Sequence, residues 1–289
     1  MKVTIGIPFY NAELTLKKTI ISILNQTFPD FELILVDDCS TDSSLIIATS
    51  FLSDPRVKII KNKTNLGLSA NLNKINNNAK GDIIIRMDHD DIMFPDRVMK
   101  IVEAFNENED CNIIGHSAII INENDQIVGF RKSPEHTSLI ECYFSTRFIH
   151  PSVAYRKALV VNNLYNSKFD GCEDQELWYR IFSRSKALIL DSALIFYREP
   201  SKLKFGTYFR RNLKLLKFFK ENKSIAGSWN LVKATMLVYL KIILYALATT
   251  FGIDQIFLRS RNTCLLKKDE DKYQDILNKV ITNTNKKKS

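Results

Sequence analysis

The chain has 289 residues, of which 45% are hydrophobic, so it is long enough for one large domain with a sizeable core, or for one domain with an appendage. Its five cysteines are scattered without a Cys-x-x-Cys pair, which argues against a thiolate metal site and indicates reduced thiols in a cytosolic protein. No apolar core of signal-peptide length follows Met1, so no export is expected.

The net charge of +9 is unevenly distributed. Residues 1–200 hold 22 Lys and Arg against 26 Asp and Glu, a net charge of −4, whereas residues 201–289 hold 19 against 6, a net charge of +13. We therefore expect a domain at 1–200 and a basic extension at 201–289 that meets an acidic surface. The first part is acidic and carries no recognised nucleic-acid motif, so nucleic acid is not expected as a partner, and anionic lipid is favoured.

Strand and helix patterns alternate from the amino terminus. The predicted strands are VTIGI (3–7), FELILVDD (31–38), VKII (57–60) and DIIIRM (82–87). The predicted helices between them cover residues 13–24, 42–51 and 69–79, the last capped by Ser69. This alternation is typical of βαβ units, so the fold class is α/β with a mostly parallel sheet flanked by helices.

The pattern becomes less regular after residue 96. We predict a helix from Arg97 to Asn106, a strand over residues 112–121, a turn region over 122–138, and a short strand after the His-Pro turn of FIHPSVAYRK (148–157). A further helix is predicted over residues 172–185, with Glu173 and Asp174 in its first turn, where acidic residues favour the helix N-terminus.

Three polar clusters follow three of these strands, namely the clusters around Asn11, around Asp38 and around Asp90. Ligands collect beyond the carboxyl ends of such strands, so we expect the clusters to converge on one rim. Three carboxylates close together repel one another, and a hard divalent cation would offset this repulsion. A simple helix cap or a solvated loop is the alternative for the Asp-x-Asp sequence alone. An EF-hand is excluded because Met93 stands where its loop needs glycine.

Five motifs taken together resemble the family 2 glycosyltransferases of the GT-A fold over roughly residues 1–200. They are Pro-x-Tyr-Asn in IPFYN, Val-Asp-Asp followed by Ser-Thr-Asp, Asn-Leu-Gly, Asp-x-Asp-Asp, and Glu-Asp ahead of Leu-Trp. The resemblance implies inverting transfer of a sugar from a nucleotide diphosphate, with Mn²⁺ or Mg²⁺ as cofactor. It favours UDP as the nucleotide.

The resemblance also implies roles for the donor-side residues. The backbone around Pro8 and the ring of Tyr10 would hold the base, and Asp38 would accept a hydrogen bond from a base N–H. Asp88 would lie near the ribose or the metal, and Asp90 would be the principal metal ligand. Glu13 would either orient the nucleotide pocket or begin the first helix.

The acceptor side is implied in the same way. Asp174 matches the position of the family's catalytic base, which takes the acceptor's proton. Glu173 and His150 would contact the acceptor or the donor, a structural role for His150 being the alternative. Arg198 would face the diphosphate or form a surface ion pair. The residues that follow it depart from many relatives, so Lys202 or Lys204 would have to supply the last phosphate contact.

The extension contains an apolar stretch over residues 229–257, preceded by the basic stretch 202–223. Lys233 and Lys241 fall on one side of a helix with Asn230, which favours an amphipathic helix at a membrane surface formed by residues 202–258. Packing on the domain or on a second subunit, and a true span, remain the alternatives. Attachment to the inner face of the cell membrane suits a saccharide or lipid-linked acceptor in cell-surface polysaccharide or lipopolysaccharide synthesis.

Two rival functions stay open at the level of sequence. A sugar-nucleotide pyrophosphorylase uses a related sheet but needs a glycine-rich phosphate loop after the first strand, where this chain has FYNAEL. A Rossmann oxidoreductase fails for the same reason. A non-catalytic nucleotide- or carbohydrate-binding module would not need the candidate base. Homo-oligomerisation is also open.

Overall fold

The computed structural model describes residues 1–135, 138–199, 205–253 and 262–282. The strands are β1 (Val3–Phe9), β2 (Phe31–Asp37), β3 (Val57–Lys61), β4 (Ile83–Arg86), β5 (Ile92–Met93), β6 (Ile113–Ile121), β7 (Ile127–Arg131), β8 (Ala154–Arg156) and β9 (Ala187–Arg198). The helices are α1 (Leu16–Leu24), α2 (Ser44–Thr49), α3 (Leu68–Asn78), α4 (Arg97–Glu107), α5 (Leu139–Phe144), α6 (Lys157–Val160), α7 (Glu173–Arg180), α8 (Phe205–Glu221), α9 (Lys223–Ala226), α10 (Ser228–Thr250) and α11 (Lys267–Thr282).

The strands of the described residues form one mixed sheet in the order β3-β2-β1-β4-β8-β6-β9-β5, and β7 pairs with β6. Strands β1, β2, β3, β4, β6 and β9 point in one direction, while β5, β7 and β8 run against them. The predicted mostly parallel α/β sheet is therefore confirmed. The carboxyl ends of β2, β1 and β4 lie side by side, as the motif positions predict.

The sheet is buried on both faces. Along β4, Ile83 and Ile85 join the core on the side of α1 and α4, whereas Ile84 joins the core on the side of α3 and α7. Because successive side chains of a strand point to opposite faces, the continuous apolar run of β4 is what a strand between two helical layers requires.

Several element boundaries differ from the predictions. Helix α1 begins at Leu16 rather than at Glu13. The predicted cap at Ser69 is wrong: Gly67 precedes α3 with a φ of 83°, and the Ser69 hydroxyl donates to Asp170 instead. The turn prediction for residues 122–138 overlooks β7, whose alternation is weak because Val128 is exposed and Gly129 has no side chain. Strands β5 and β9 and helices α5, α6 and α11 are additional elements that the sequence analysis did not predict.

The helices after residue 200 pack in two places. Helices α8 and α10 pack against α5 and α7 in an apolar cluster that includes Tyr143, Tyr179 and Phe218. Helix α11 packs against the other edge of the sheet, where Leu277 and Val280 contact the cluster of β5, β6 and β9. The boundary at residue 200 stays a prediction.

Candidate active site

Three loops meet beyond the carboxyl ends of β1, β2 and β4. In the first loop, Asn11 adopts a φ of 48°, and its Oδ1 accepts a hydrogen bond of 2.9 Å from the Thr41 N–H. Glu13 joins the same two loops, because its Oε2 accepts from the Ser43 N–H at 3.0 Å. Pro8 is buried at the end of β1, and Tyr10 is 45% exposed on the rim. The first two loops are thus fixed to each other, and an aromatic ring is left accessible beside them.

Asp38 binds the backbone of the Asn-Leu-Gly loop, which follows β3 at the same rim. Its Oδ1 accepts from the Leu66 N–H and the Asn62 amide at 2.8 Å each, and its Oδ2 accepts from the Gly67 N–H at 3.0 Å. Burial alone would raise the pKa of Asp38, but these hydrogen bonds outweigh burial and hold the pKa below its usual value. Asp38 therefore holds the Asn-Leu-Gly loop in the folded protein as a charged carboxylate.

We expect Asp38→Asn to lower the free energy of unfolding by about 3 kcal/mol. In the wild type each carboxylate oxygen accepts a hydrogen bond from a backbone N–H, and in the variant one of these N–H groups would face the NH₂ group of asparagine, which is itself a donor. A lowered pKa stabilises the fold above the ordinary value of 3.8 and loses that contribution as the pH falls below it. Wild-type stability should therefore fall more steeply than that of the variant below about pH 4. Urea titrations between pH 3 and 7 measure both effects, with the exposed Asp30→Asn as control. Equal stability at pH 7 would contradict this assignment.

The acidic cluster follows β4. Carboxylate oxygens of Asp88, Asp90 and Asp91 lie within 4.8 Å of one another. Burial, and then the charge of Asp88, raises the pKa of Asp90, and burial followed by the charges of Asp90 and Asp88 raises that of Asp91 well above its usual value. The cluster is therefore short of positive charge.

The three carboxylates are held differently. Asp88 forms an ion pair of 2.6 Å with Arg86, the last residue of β4. Asp91 has no solvent exposure and accepts a hydrogen bond of 2.8 Å from the Arg198 N–H, so it fastens this loop to β9. Its second oxygen is buried and has no hydrogen-bond partner among the described residues.

A second pair of carboxylates lies in the first turn of α7. Glu173 and Asp174 are 5% and 7% exposed, and the Gly171 N–H donates to Glu173 at 2.5 Å. Burial, and then the charge of Asp174, raises the pKa of Glu173 to about 7. Among the described residues, no hydrogen bond fixes the carboxylate of Asp174. It is the less constrained member of the pair.

The raised pKa of Glu173 predicts a pH dependence of stability. The native protein binds a proton at Glu173 between its ordinary pKa of 4.5 and about 7, so the free energy of unfolding falls as the pH rises through this window, by on the order of 3 kcal/mol. We expect Glu173→Gln to remove this slope and to exceed wild-type stability at pH 8, because glutamine keeps an oxygen for the Gly171 N–H. Unfolding followed from pH 4.5 to 8 tests this, with the exposed Glu107→Gln as control; an unchanged slope in Glu173→Gln would refute it.

His150 and Arg86 connect the two acidic groups, because His150 is close to Glu173 and Arg86 pairs with Asp88. His150 is 3.7 Å from Glu173 through Nδ1 and 3.1 Å from the Tyr165 hydroxyl through Nε2. Burial, and then the charges of Arg86 and Arg211, lowers the pKa of His150 well below its usual value. Arg86 is 3% exposed, and its Nε has no hydrogen-bond partner among the described residues. One buried guanidinium thus pairs with Asp88 and acts electrostatically on His150 and Glu173.

Arg198 at the end of β9 is buried and tied into the fold. Its guanidinium donates to the backbone oxygens of Asp90 and Asn122 and pairs with Asp125 at 2.5 Å. The sequence analysis offered a surface ion pair as one role for Arg198. The ion pair with Asp125 exists, but it is largely buried. The diphosphate contact of Arg198 stays a prediction, and Lys202 and Lys204 lie outside the described residues.

Comparison with known proteins identifies the family. The model for glycosyl transferase family 2 matches residues 4–162, more than half of the chain. The chain belongs to glycosyl transferase family 2. EpsE of Bacillus subtilis (strain 168), itself named a glycosyltransferase by inference, is 34% identical over 208 residues, which span 69% of this chain and 74% of EpsE. The O-antigen biosynthesis glycosyltransferase WbnJ of Escherichia coli is 33% identical over 189 residues, which span 63% of this chain and 73% of WbnJ.

Solved structures of similar proteins share the fold of this family 2 member. TarS of S. aureus, residues 1–349 in complex with UDP-GlcNAc, has a TM-score of 0.59 and 18% identity, covering 96% of this chain and 91% of that one. The mannosyltransferase PcManGT from Pyrobaculum calidifontis, in complex with GDP-Man and Mn²⁺, has a TM-score of 0.59 and 16% identity, covering 97% and 85%. These likenesses confirm the predicted GT-A type of sheet.

The acidic cluster of this family 2 chain fits a hard divalent cation. Mg²⁺ and Mn²⁺ take oxygen ligands, and the three clustered carboxylates supply oxygens. Asp88 and Asp90 retain partial exposure, whereas Asp91 is fully buried. Asp90 and Asp88 are the residues that would hold the ion, and Asp91 would keep their loop in place.

Sequence reasoning missed Arg86 as a residue of the site. A single arginine at the end of an otherwise apolar strand, two residues before the first acid, was the signal in IIIRMDHDD. A buried arginine needs a charged partner, and the nearest carboxylate in sequence is the one that it binds.

Proposed function

We propose that the protein transfers a sugar from a nucleotide-diphosphate sugar, with UDP as the favoured nucleotide, to a hydroxyl group of a saccharide or lipid-linked acceptor, with inversion at the anomeric carbon. The observation that carries this proposal is the arrangement of two acidic groups on one rim, joined by Arg86. Arg86 pairs with Asp88 of the first group, which also contains Asp90, and its charge acts on Glu173 of the second group, which also contains Asp174.

The donor site is proposed to form around the loops that follow β1, β2 and β3. Tyr10 offers an exposed ring for stacking on the base, next to the buried Pro8. Asp38 is held as a charged carboxylate beside this ring, and in the proposal it accepts a further hydrogen bond from a base N–H. Glu13 supports this site indirectly by holding the loop after β2.

The diphosphate is proposed to lie at Asp88 and Asp90. A divalent cation held by these carboxylates, Mn²⁺ or Mg²⁺, supplies charge neutralisation for the leaving nucleoside diphosphate. Arg86 fixes the position of Asp88 through its ion pair, and Arg198 fixes the backbone of Asp90. Both arginines are positioning residues in this proposal.

Asp174 is proposed as the general base. The acceptor oxygen forms a bond to the anomeric carbon while the bond from that carbon to the diphosphate oxygen breaks, and the acceptor proton passes to Asp174. Asp174 suits this task because, among the described residues, no hydrogen bond ties its carboxylate. Glu173 and His150 lie beside it and would bind and orient the acceptor.

The rival functions find less support. A binding module does not require two separate groups of buried carboxylates, and the raised pKa values of Asp90, Asp91 and Glu173 indicate that the described residues around them do not fully offset the cost of burying their charges. A pyrophosphorylase needs a phosphate loop after the first strand. Here the backbone of that segment, from Asn11 to Glu13, is already hydrogen-bonded to side chains of the next loop.

Calorimetric titration with UDP, dTDP, GDP and CDP, with and without Mn²⁺, tests the proposed donor class. We expect one nucleotide to bind only with the metal present. Detection of the released nucleoside diphosphate from the matching sugar nucleotide then tests catalysis. Metal-dependent binding without any turnover, tested with a range of saccharide acceptors, would support the binding module, and the absence of binding under both conditions would reject the donor site.

The cellular role is proposed from the relatives. WbnJ is named for O-antigen biosynthesis. A role in cell-surface polysaccharide or lipopolysaccharide synthesis fits this chain, with the enzyme in the cytoplasm and peripheral on the inner face of the membrane. A homo-oligomer remains the competing use of its exposed apolar surface.

A further inference from the structure

Helix α10 presents an apolar stripe to solvent. Its exposed members recur every three or four residues, as neighbours on one face of a helix do: Trp229, Val232, Met236, Tyr239, Ile243 and Leu247. Among the described helices, α10 is the one long and apolar enough to cross a membrane, with a mean hydropathy of 1.8, yet only 28% of that stretch is buried. It is therefore not an ordinary core helix.

The opposite face of α10 is docked on the protein. Ala234, Val238 and Ile242 are buried in the cluster that also contains Leu216 and Phe219 of α8. Rings extend this contact, since Tyr245 of α10 lies 4.3 Å from Tyr208 and 6.4 Å from Phe205, centroid to centroid. Helix α10 is thus fixed along much of its length to α8.

Helix α8 is strongly basic on its exposed side. Arg210, Lys214, Lys217 and Lys220 are exposed, and residues 205–253 hold eight Lys and Arg against the single acid Glu221. A spanning α10 would draw this helix into the hydrocarbon layer, where each Lys or Arg costs about 2.5–3.5 kcal/mol. The same charges favour an anionic surface by about 1 kcal/mol each. The attached basic helix therefore argues against a span and for a surface position.

We propose that the exposed stripe of α10, with the neighbouring basic face of α8, binds the surface of an anionic lipid bilayer, and that α10 lies in the plane of the membrane. Trp229 and Tyr239 are rings with a polar edge, which suit the interface between headgroups and acyl chains. Lys233 and Lys241 lie outside the stripe, and Lys233 Nζ lies 5.2 Å from the centre of the Phe144 ring, so the charges that bind headgroups in this proposal are those of α8.

This orientation places the candidate base beside the membrane. Phe218 of α8 packs edge-on against Tyr179 of α7 at 5.4 Å, and Cys172, which precedes Glu173, is buried in the same cluster. Helix α8 thus lies between the membrane-facing helix and the helix that carries Asp174. Resting on the proposed function, the inference assigns the acceptor to the class of saccharides carried on a lipid in that membrane.

The two tryptophans of the chain make binding measurable in the full-length protein. Trp229 is 78% exposed, whereas Trp178 is fully buried and supplies a constant background. Vesicles of phosphatidylglycerol and phosphatidylethanolamine should shift the fluorescence maximum to shorter wavelength and carry the protein upward in a flotation gradient. Trp229→Phe should abolish the shift without abolishing flotation.

Matched variants separate the stripe from general surface effects. We expect Met236→Glu with Ile243→Glu to lower the bound fraction at least tenfold, and Lys214→Gln with Lys217→Gln to lower it several-fold at low salt only, since screening weakens surface charge. The control is Ile46→Glu, an equally apolar and exposed position on α2. These binding measurements need no donor and no turnover, so a failure of the proposed reaction leaves them intact.

Three outcomes would overturn the proposal. Equal binding of the stripe variant and the control would show that the stripe is not the contact. No binding to anionic vesicles, together with a dimer that Met236→Glu and Ile243→Glu dissociate, would assign the face to a second copy of the chain. Protein that resists extraction by salt and alkali would assign α10 to a span.

Discussion

Asp90→Asn is expected to lower the rate of sugar transfer by about 10³-fold and to abolish the metal dependence of nucleotide binding. Asp90 is the member of the acidic cluster whose carboxylate neither pairs with a charged residue nor accepts a hydrogen bond from another described residue: Asp88 is paired with Arg86, and Asp91 accepts a hydrogen bond from the Arg198 N–H. A loss of about 4 kcal/mol of charge stabilisation at the diphosphate corresponds to this factor.

The same substitution separates binding from folding. Burial and the charge of Asp88 raise the pKa of Asp90, so the ionised side chain opposes folding at pH 7 when no cation is present. We therefore expect the metal-free Asp90→Asn protein to be at least as stable as the wild type. Asp96→Asn is the matched control, because Asp96 follows in the same segment, is 44% exposed and pairs with Lys100. Retention of Mn²⁺-dependent nucleotide binding in Asp90→Asn would reject Asp90 as the ligand.

The sequence was informative where a function coincides with a local pattern. The apolar run before Asp88 identifies a strand buried on both faces, and alternation with helices identifies parallel neighbours. The carboxyl ends of parallel strands meet at one edge, so the convergence of the motifs followed from their positions alone. The first turn of α7, with Glu173 and Asp174, was also predictable from a local pattern, because acidic residues favour the N-terminus of a helix.

Contacts between distant segments were not predictable in this way. The Arg198–Asp125 ion pair joins residues 73 positions apart, and it depends on β6 and β9 lying side by side. Asp125 also forms an ion pair with Lys18 of α1, and its backbone oxygen accepts a hydrogen bond from the side-chain amide of Gln274 of α11. A local sequence pattern does not determine which strands are neighbours. The contacts by which β9, α1 and α11 support the site therefore become visible only in the folded structure.

Asp174→Asn is expected to lower the rate of transfer by about 10²–10⁴-fold while donor binding stays unchanged, because asparagine keeps the shape of the side chain but cannot take a proton from the acceptor. The neighbouring Glu173 cannot replace it readily: its carboxylate is held by the Gly171 N–H, and its pKa of about 7 leaves it partly protonated near neutral pH. Steady-state kinetics with saturating donor and Mn²⁺ measures the effect as a fall in kcat. A loss confined to KM would indicate acceptor binding instead.

Glu176→Gln is the matched control for this experiment. Glu176 lies in the same turn of α7, is buried to the same extent and forms an ion pair of 2.7 Å with Arg180, so its replacement perturbs the helix without touching the proposed base. NMR assignment of the anomeric configuration in the product supplies a second criterion, because single displacement with one base inverts that configuration. An unchanged kcat in Asp174→Asn, or a product with retained configuration, would move the search for the reacting carboxylate to Glu173 or to the acidic cluster after β4.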